Sequence, residues 1–270
     1  MHTEIDYQYV TTKLAADNIH AHREQDILYK YASVCDAVKI ISGNSLLYQI
    51  PDRFNDPFEL HKGLFDFKDA TYAMLWQRMK ASGKYTDKQI EYVMSHVTEK
   101  QMVDEADKVM SGGKSKMGIL CMSKTNISTL MWSHYSHKHT GVCLGFKIPN
   151  GMPDLITMAY SVNYAEKVIP RKVNFDGSLD DMVAVLRWVC TKAATWEYEK
   201  EVRVINMIQS GIIPFEVVQL KELYFGVSTT EQAIEEILDA VKLKGYTLQK
   251  IAKMTIDRNT FDLQVIPYVP

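Results

Sequence analysis

Three glutamates at alternate positions, followed by an arginine with the same spacing, are the first candidates for chemistry in this chain. These residues are Glu197, Glu199, Glu201 and Arg203, and a β-branched run begins at Val202. Because alternate residues of an extended strand point to one side, the four side chains are expected to share a face. Like charges on one face repel unless a cation, a ligand or water separates them. The pattern predicts a carboxylate–arginine site at the mouth of a strand; a solvated strand edge with one ion pair is the alternative.

A second polar pair, Asn55 and Asp56, follows a strand pattern and precedes Pro57. Asn-Asp-Pro is typical of a turn, because Asn and Asp bond their own backbone and Pro fixes φ. Polar side chains at the end of a strand are well placed to contact a ligand. We therefore treat Asn55 and Asp56 as candidate substrate-binding residues, with a purely structural turn as the alternative.

Residues 131–141 are rich in histidine and aromatic side chains. His134 and His137 would share a helix face, but the HxxHxH spacing is not a recognised zinc ligand set, so no metal site is predicted. Trp132 and Tyr135 are expected to form an aromatic wall that could stack on a base or a nicotinamide. For Trp132, core packing is the favoured interpretation and stacking on a ligand is the alternative.

The bulk composition describes an ordinary globular chain of 270 residues, with 46% hydrophobic and 24% charged residues. The net charge of −2 does not indicate nucleic acid as a partner, although a local patch is compatible with it. No apolar run reaches the length of a membrane span, and the N-terminus lacks a signal-peptide pattern. The four cysteines are scattered and contain no CxxC pair. We expect reduced cysteines, a cytoplasmic location and no membrane partner.

Strand and helix patterns alternate irregularly along the chain, which favours an α+β fold with a mixed or antiparallel sheet. Residues 1–270 are expected to form a single domain. Within it, residues 66–112 carry methionine, lysine and glutamate at helical spacing and are predicted to be a helical insertion. A helix is also expected over residues 180–195, leading directly into the glutamate-rich stretch.

Several short motifs resemble the bacterial family catalogued as domain of unknown function 2971. They run in order through most of the chain: Leu28-Tyr29-Lys30-Tyr31, Phe54-Asn55-Asp56-Pro57-Phe58-Glu59, Leu120-Cys121-Met122-Ser123, Met131-Trp132-Ser133-His134-Tyr135, residues 139–146, Val162-Asn163-Tyr164, Lys192, residues 196–203 and Leu223-Tyr224-Phe225-Gly226. The family often has Phe where Met122 stands. Its name implies no activity, but its motifs coincide with the polar clusters described above.

The order of parts also resembles the ADP-ribosyltransferase superfamily, which implies NAD as a substrate. An early strand would carry Lys30 at the position that grips NAD, where the superfamily usually has His or Arg. The second strand would carry Ser45 or Tyr48, and the late strand would open with the catalytic Glu201 or Glu199. A fixed carboxylate there would stabilise the oxocarbenium charge that forms when the nicotinamide–ribose bond breaks.

The first functional hypothesis is an enzyme that acts on NAD or a nucleotide, by ADP-ribosyl transfer or N-glycosidic cleavage. Glu201 would be the catalytic carboxylate, Glu199 its helper, and Arg203 a clamp for phosphate or carboxylate groups. The other substrate-binding candidates are Lys30, Tyr31, Asn55, Asp56, Trp132, His134 and Tyr135. No tightly bound cofactor is expected, and NAD would be a substrate. By analogy, the cellular role would be that of a toxin or antiphage effector.

The second hypothesis is a non-enzymatic module that binds a protein partner, as a regulator in a bacterial defence or signalling system. Its polar clusters would then be buried structural networks, which can resemble a site. The two hypotheses differ in geometry. An enzyme needs Glu201, the Asn55-Asp56 pair and the His134-Tyr135 pair to converge on one open concave pocket, whereas a structural network needs them paired and closed to solvent. A nuclease is less favoured because the sequence has neither a metal-binding acidic set nor a basic stripe.

Overall fold

The computed structural model describes residues 4–22, 27–60, 65–66, 68–147, 157–172, 178–216 and 219–269. The helices are α1 (Glu4–Ala15), α2 (Val34–Gly43), α3 (Lys68–Ala81), α4 (Asp87–Ser95), α5 (Glu99–Lys116), α6 (Thr129–Tyr135), α7 (Leu179–Val189) and α8 (Glu231–Leu243), with 3₁₀ turns at Pro51–Arg53 and Ala194–Glu199. The strands are β1 (Ala21–His22), β2 (Ile27–Ala32), β3 (Ser45–Tyr48), β4 (Phe65–Asp66), β5 (Gly118–Ser123), β6 (Val142–Lys147), β7 (Thr157–Ser161), β8 (Asn163–Ala165), β9 (Arg171–Lys172), β10 (Thr191–Ala193), β11 (Glu201–Asn206), β12 (Gly211–Pro214), β13 (Leu220–Phe225), β14 (Lys250–Ile256) and β15 (Leu263–Pro267).

The centre of the fold is a nine-stranded sheet in the order β1-β7-β11-β5-β2-β6-β13-β14-β15. Its neighbouring strands are antiparallel except for β13 and β14, which run parallel. The sheet is therefore mixed, and the α+β class predicted from the sequence is confirmed. Short pairs of strands, β8 with β10 and β3 with β12, lie outside this sheet.

Helices cover both faces of the sheet. The face that carries Ile205 and Tyr160 packs against α1 and α7 through buried residues such as Leu14 and Leu186. The opposite face carries Val202 and packs against α2 and α8. A third apolar cluster, which includes Tyr31, Trp132 and Tyr224, lies under α6. Cross-strand pairing places Arg203 opposite Cys121, and Cys143 opposite both Tyr31 and Tyr224.

Local capping explains where several helices begin. Thr86 forms a complete capping box with Gln89 at the start of α4, and Thr98 forms one with Gln101 at the start of α5. The helices α3, α4 and α5 occupy most of the stretch 66–112, so its helical character agrees with the sequence pattern. That it is an insertion within a single domain stays a prediction.

The helix expected over residues 180–195 is shorter than predicted. It begins after the capping Ser178 and ends at Val189, and the chain continues as β10 and a 3₁₀ turn. Hydrophobic spacing up to Val189 explains the first part, because Val183, Leu186 and Val189 are buried. Within the described residues, no helix combines the length and apolar character needed to cross a bilayer.

Candidate functional site

Five charged side chains meet in the interior next to the start of β11. The ammonium of Lys192 lies 2.5 Å from Glu199 Oε2, 3.1 Å from Glu201 Oε2 and 3.1 Å from Glu59 Oε1. Arg203 donates from Nη2 to Glu59 at 2.5 Å and from Nε to Glu201 at 2.9 Å. We call these five residues the ion cluster. Three carboxylates face two cations, so the cluster carries a net charge of −1 when every group is ionised.

The guanidinium of Arg203 is fully enclosed by the protein. It has no exposed surface, and its Nη1 donates to the carbonyl of Val189 at 2.5 Å, in addition to the bonds with Glu59 and Glu201. All three nitrogen atoms are therefore engaged by protein groups. Arg203 was predicted to clamp a ligand, but in this structure it fixes two carboxylates instead.

The backbone before β11 is not the extended chain that the alternating glutamates predicted. Residues 194–199 form a 3₁₀ turn, and Lys200 adopts a left-handed conformation with φ 44°. The expectation that all three glutamates share a strand face is therefore wrong, and Glu197 is exposed. The turn nevertheless brings Glu199 and Glu201 together on Lys192. Ser123 supports this geometry, because its hydroxyl donates to the carbonyl of Glu199 at 2.6 Å.

Glu199 and Glu201 differ in their electrostatic surroundings. Burial raises the pKa of Glu199, and the nearby Lys192 only partly offsets that effect. Burial also acts on Glu201, but Arg203 and Lys192 outweigh it and lower the pKa of this carboxyl to about 2. Glu201 is thus a permanently ionised partner of the two cations, whereas Glu199 is the carboxylate with the greater tendency to bind a proton.

Lys192 remains a cation despite its burial. Burial favours the neutral amine, but the carboxylates of Glu201, Glu59 and Glu199 outweigh it and raise the pKa. The indole of Trp196 also covers the ammonium, with 4.8 Å between Nζ and the ring centroid. A protonated lysine is a poor nucleophile, so covalent catalysis by Lys192 is disfavoured.

A cleft of about 520 Å³, including the solvent at its mouth, opens onto the ion cluster. Its wall includes Glu59, Lys192, Glu199 and Glu201 from the cluster, together with the polar and aromatic side chains of Tyr29, Lys30, Tyr31, Phe54, Asn55 and Tyr135. The Tyr135 hydroxyl donates to Glu199 Oε1 at 2.5 Å. Aromatic rings and a carboxylate therefore meet on one concave surface.

The cleft lies where the central sheet opens. The strands β2 and β5 are paired only at Tyr29 and Ser123, whereas β2 and β6 share six residue pairs. Further along β5, Gln49 forms both backbone hydrogen bonds with Ile119, so the gap lies between this contact and the Tyr29–Ser123 pair. Lys30 fills part of this gap, because its ammonium donates to the carbonyl of Cys121 at 3.0 Å.

The predicted site residues fall into two groups. Six of them line the cleft: Lys30, Tyr31, Asn55, Tyr135, Glu199 and Glu201. The other four do not: Asp56, Trp132, His134 and Arg203.

Each residue outside the cleft has a different environment. Trp132 is fully buried behind Tyr31, and its Nε1 donates to the carbonyl of Asn126 at 2.7 Å. His134 is exposed and contacts the Tyr198 hydroxyl at 3.1 Å. Asp56 is buried in the turn, where its Oδ1 accepts from the Phe58 amide.

Sequence reasoning did not select Glu59 and Lys192 as site residues, although both belong to the ion cluster. Glu59 was visible as the last residue of the Asn55 motif, three positions beyond Asp56. Lys192 was placed within a helix, where the ribbon of β8 and β10 was not foreseen. The signal that could have found them is charge balance, because buried carboxylates require cationic partners.

A family model described as "Protein of unknown function (DUF2971)" matches residues 131–204. The matched part runs from α6 into β11 and contains Tyr135, Lys192, Glu199 and Glu201. It confirms the resemblance to domain of unknown function 2971 over these residues. No curated protein and no solved structure matches the chain. Nothing in these comparisons bears on the resemblance to ADP-ribosyltransferases.

Proposed function

We propose that the chain cleaves the N-glycosidic bond of NAD or a related nucleotide, with Glu199 as the carboxylate that faces the reacting sugar. One observation carries this proposal: Glu199, a buried carboxylate with a raised pKa that belongs to the ion cluster, lies on an aromatic cleft. Such a carboxylate can stabilise positive charge and can also accept a proton.

The charge of the ion cluster favours a cationic leaving group. The nicotinamide ring of NAD carries a positive charge, and a net charge of −1 in the cluster would attract it. The aromatic residues Tyr29, Tyr31 and Phe54 line the cleft and would supply apolar contacts to such a ring. The cleft is therefore better matched to a pyridinium nucleotide than to a neutral sugar.

The proposed cleavage of the nicotinamide–ribose bond conserves charge at each step. The bond between the ribose carbon and the ring nitrogen breaks, and its electron pair leaves with nicotinamide, which becomes neutral. The resulting oxocarbenium ion lies near the Glu199 carboxylate. A water oxygen then adds to the sugar carbon and its proton passes to Glu199; in ADP-ribosyl transfer, an acceptor nucleophile replaces water.

The other cluster residues would have positioning roles. Lys192 and the Tyr135 hydroxyl hold the two oxygens of Glu199, at 2.5 Å each. A carboxylate has about four acceptor positions, so these two bonds leave capacity for a substrate hydroxyl or water. Glu201 and Glu59 also hold Lys192, and Arg203 binds these two carboxylates. Lys30 and Asn55 would contact the nucleotide further along the cleft.

Comparison of NAD with NADH tests the electrostatic part of this proposal. The reduced ring is uncharged and is also an intrinsically poor leaving group, so the comparison is made on affinity: calorimetry should give tighter binding of NAD than of NADH. Release of free nicotinamide from NAD is quantified separately by chromatography with wild type and Glu199→Gln. Equal affinity for the two nucleotides, or an active Glu199→Gln variant, would contradict the proposed role of the cluster.

A partner-binding module is the second candidate, and the complete burial of Arg203 favours it. Arg203, Glu201 and Glu59 are at least nine-tenths buried and mutually paired, as expected for a structural network. In that case the cleft would be a consequence of the network. A well-folded wild type that binds neither NAD nor NADH in calorimetry would favour this candidate.

A further inference from the structure

The sequence around the cleft mouth has a local charge bias that the whole-chain balance conceals. Acidic residues slightly outnumber basic ones overall, 33 to 31. From Lys108 to Lys147, however, the chain contains six lysines, three histidines and no aspartate or glutamate. Three of these lysines lie in the C-terminal half of α5, where Lys108 pairs with Glu105 and Lys114 with Asp52. The rest of the stretch includes β5, α6 and β6, and the first two flank the cleft. This charge bias reaches the protein surface wherever its lysine and histidine side chains are exposed.

Exposed cations lie around α6 and the neighbouring 3₁₀ turn. Lys138 follows the C-terminus of α6, and Lys200 ends the 3₁₀ turn; both side chains are exposed. His134 is exposed on α6 between these elements. The opposing charge here is Glu197, which is exposed on the 3₁₀ turn.

Aromatic rings lie next to the exposed His134. The rings of Trp196 and Tyr198 are 6.1 Å apart and tilted by 37°, and both residues are partly exposed. The Tyr198 ring also contacts His134, with 5.8 Å between centroids. We call the set of Lys138, Lys200, His134, Trp196 and Tyr198 the basic aromatic face.

Lys138 is held in place rather than carried on a loose turn. Three successive residues, His137, Lys138 and His139, have positive φ values of 50°, 56° and 66°. This conformation is rare for residues other than glycine, and hydrogen bonds hold it: Lys138 N donates to the Ser133 carbonyl, and Ser228 N donates to that of His139. The backbone of Lys138 therefore has a defined position relative to α6.

We propose that the basic aromatic face binds single-stranded nucleic acid. Proteins that bind single strands combine cations, which follow the phosphates, with aromatic rings, which stack on unpaired bases. Lys138 and Lys200 would supply the first contact, while Tyr198 and Trp196 would supply the second. A duplex hides its bases within the stack, so the face should prefer single strands. This inference does not depend on the proposed N-glycosidic activity.

Fluorescence anisotropy with a labelled oligothymidylate of about 20 nucleotides tests the proposal. Wild type should bind it more tightly than the matched duplex, and the affinity should fall as salt rises, because phosphate contacts release counterions. Lys138→Glu should weaken binding about 10-fold or more. Lys39→Glu is the matched control, because Lys39 is an exposed lysine on α2, which packs against the opposite face of the sheet.

Two variants of Tyr198 separate stacking from charge. Tyr198→Ala should weaken binding about 10-fold, whereas Tyr198→Phe keeps the ring and should bind nearly as wild type. Lys138 is exposed, so its variant keeps the test valid if Tyr198→Ala fails to fold. Absence of binding by wild type, or equal losses with Lys138→Glu and Lys39→Glu, would overturn the proposal.

Discussion

The ammonium of Lys192 and the carboxylate of Glu199 lie 2.5 Å apart, although the two residues belong to a short strand and a 3₁₀ turn. This contact joins the two functions that the ion cluster can serve. It compensates a buried negative charge, and it holds one oxygen of the carboxylate that faces the cleft. Whether a substitution affects stability, catalysis or both depends on which cluster member it removes.

Removal of the central cation should strongly destabilise the protein. Lys192→Met would leave Glu59, Glu199 and Glu201 close together without their shared partner. Loss of one member of a buried ion pair typically costs about 3–5 kcal/mol. Urea denaturation at neutral pH measures this. The control Lys39→Met removes an exposed ion pair with Asp36 and should leave the free energy of unfolding nearly unchanged.

Acid should destabilise the cluster through Glu201. Its pKa is lowered from the ordinary value of 4.5 to about 2 in the folded state. The ionised carboxylate therefore stabilises the fold fully at pH values above its pKa in the unfolded chain. That contribution is lost as pH falls from about 4.5 through 2. Denaturation across this range should show a decreasing free energy of unfolding in wild type and a smaller decrease in Glu201→Gln. Identical pH dependence in the two proteins would refute the assignment.

Tyr135→Phe should raise the pKa of Glu199 and lower the stability of the fold only slightly. The Tyr135 hydroxyl donates to Glu199 and thereby favours the ionised carboxylate. Its loss should raise the pKa of Glu199 further, and stability should fall by about 1 kcal/mol. Carbon-13 NMR titration of the glutamate carboxyl groups follows this directly. A lowered pKa in the variant would contradict the hydrogen-bond geometry.

Two glycines with different surroundings should respond in opposite directions to alanine. A Cβ at Gly141 would lie 2.2 Å from the Ala32 carbonyl oxygen, so Gly141→Ala should destabilise by about 1–3 kcal/mol. Gly112 lies within α5 and has nothing within 4 Å of such a Cβ. Gly112→Ala should stabilise by about 0.5–1 kcal/mol, because alanine favours helix. Thermal melting of both variants measures the difference, and equal melting shifts would be inconsistent with this packing.

The sequence predicted the local elements better than the contacts between them. Helix starts such as Thr86 follow from nearby hydrogen-bonding residues, so they are visible in a short window. The 3₁₀ turn before β11 is different, because tertiary bonds from Ser123 and Lys124 hold its backbone. A short stretch of sequence contains no sign of such bonds. The alternating glutamates therefore predict an extended strand instead.

The sequence predicted the candidate site only in part, because tertiary contacts also decide which side chains meet there. Tyr135, Glu199 and Glu201 were found because their types suggested chemistry, and the structure places them on one cleft. Lys192 is close to Glu199 in sequence, but its pairing with Glu59 joins segments more than 100 residues apart. Such pairing depends on the sheet order, which charge spacing alone does not determine.

The most direct measurement of the central claim is the time course of nicotinamide release from NAD by wild type, Glu199→Gln and Glu197→Gln. Glu197 is the matched control, because it is an exposed glutamate on the same 3₁₀ turn. The account predicts release by wild type and Glu197→Gln, and a rate at least about 100-fold lower in Glu199→Gln. No release by folded wild type, or equal rates in the two variants, would contradict it.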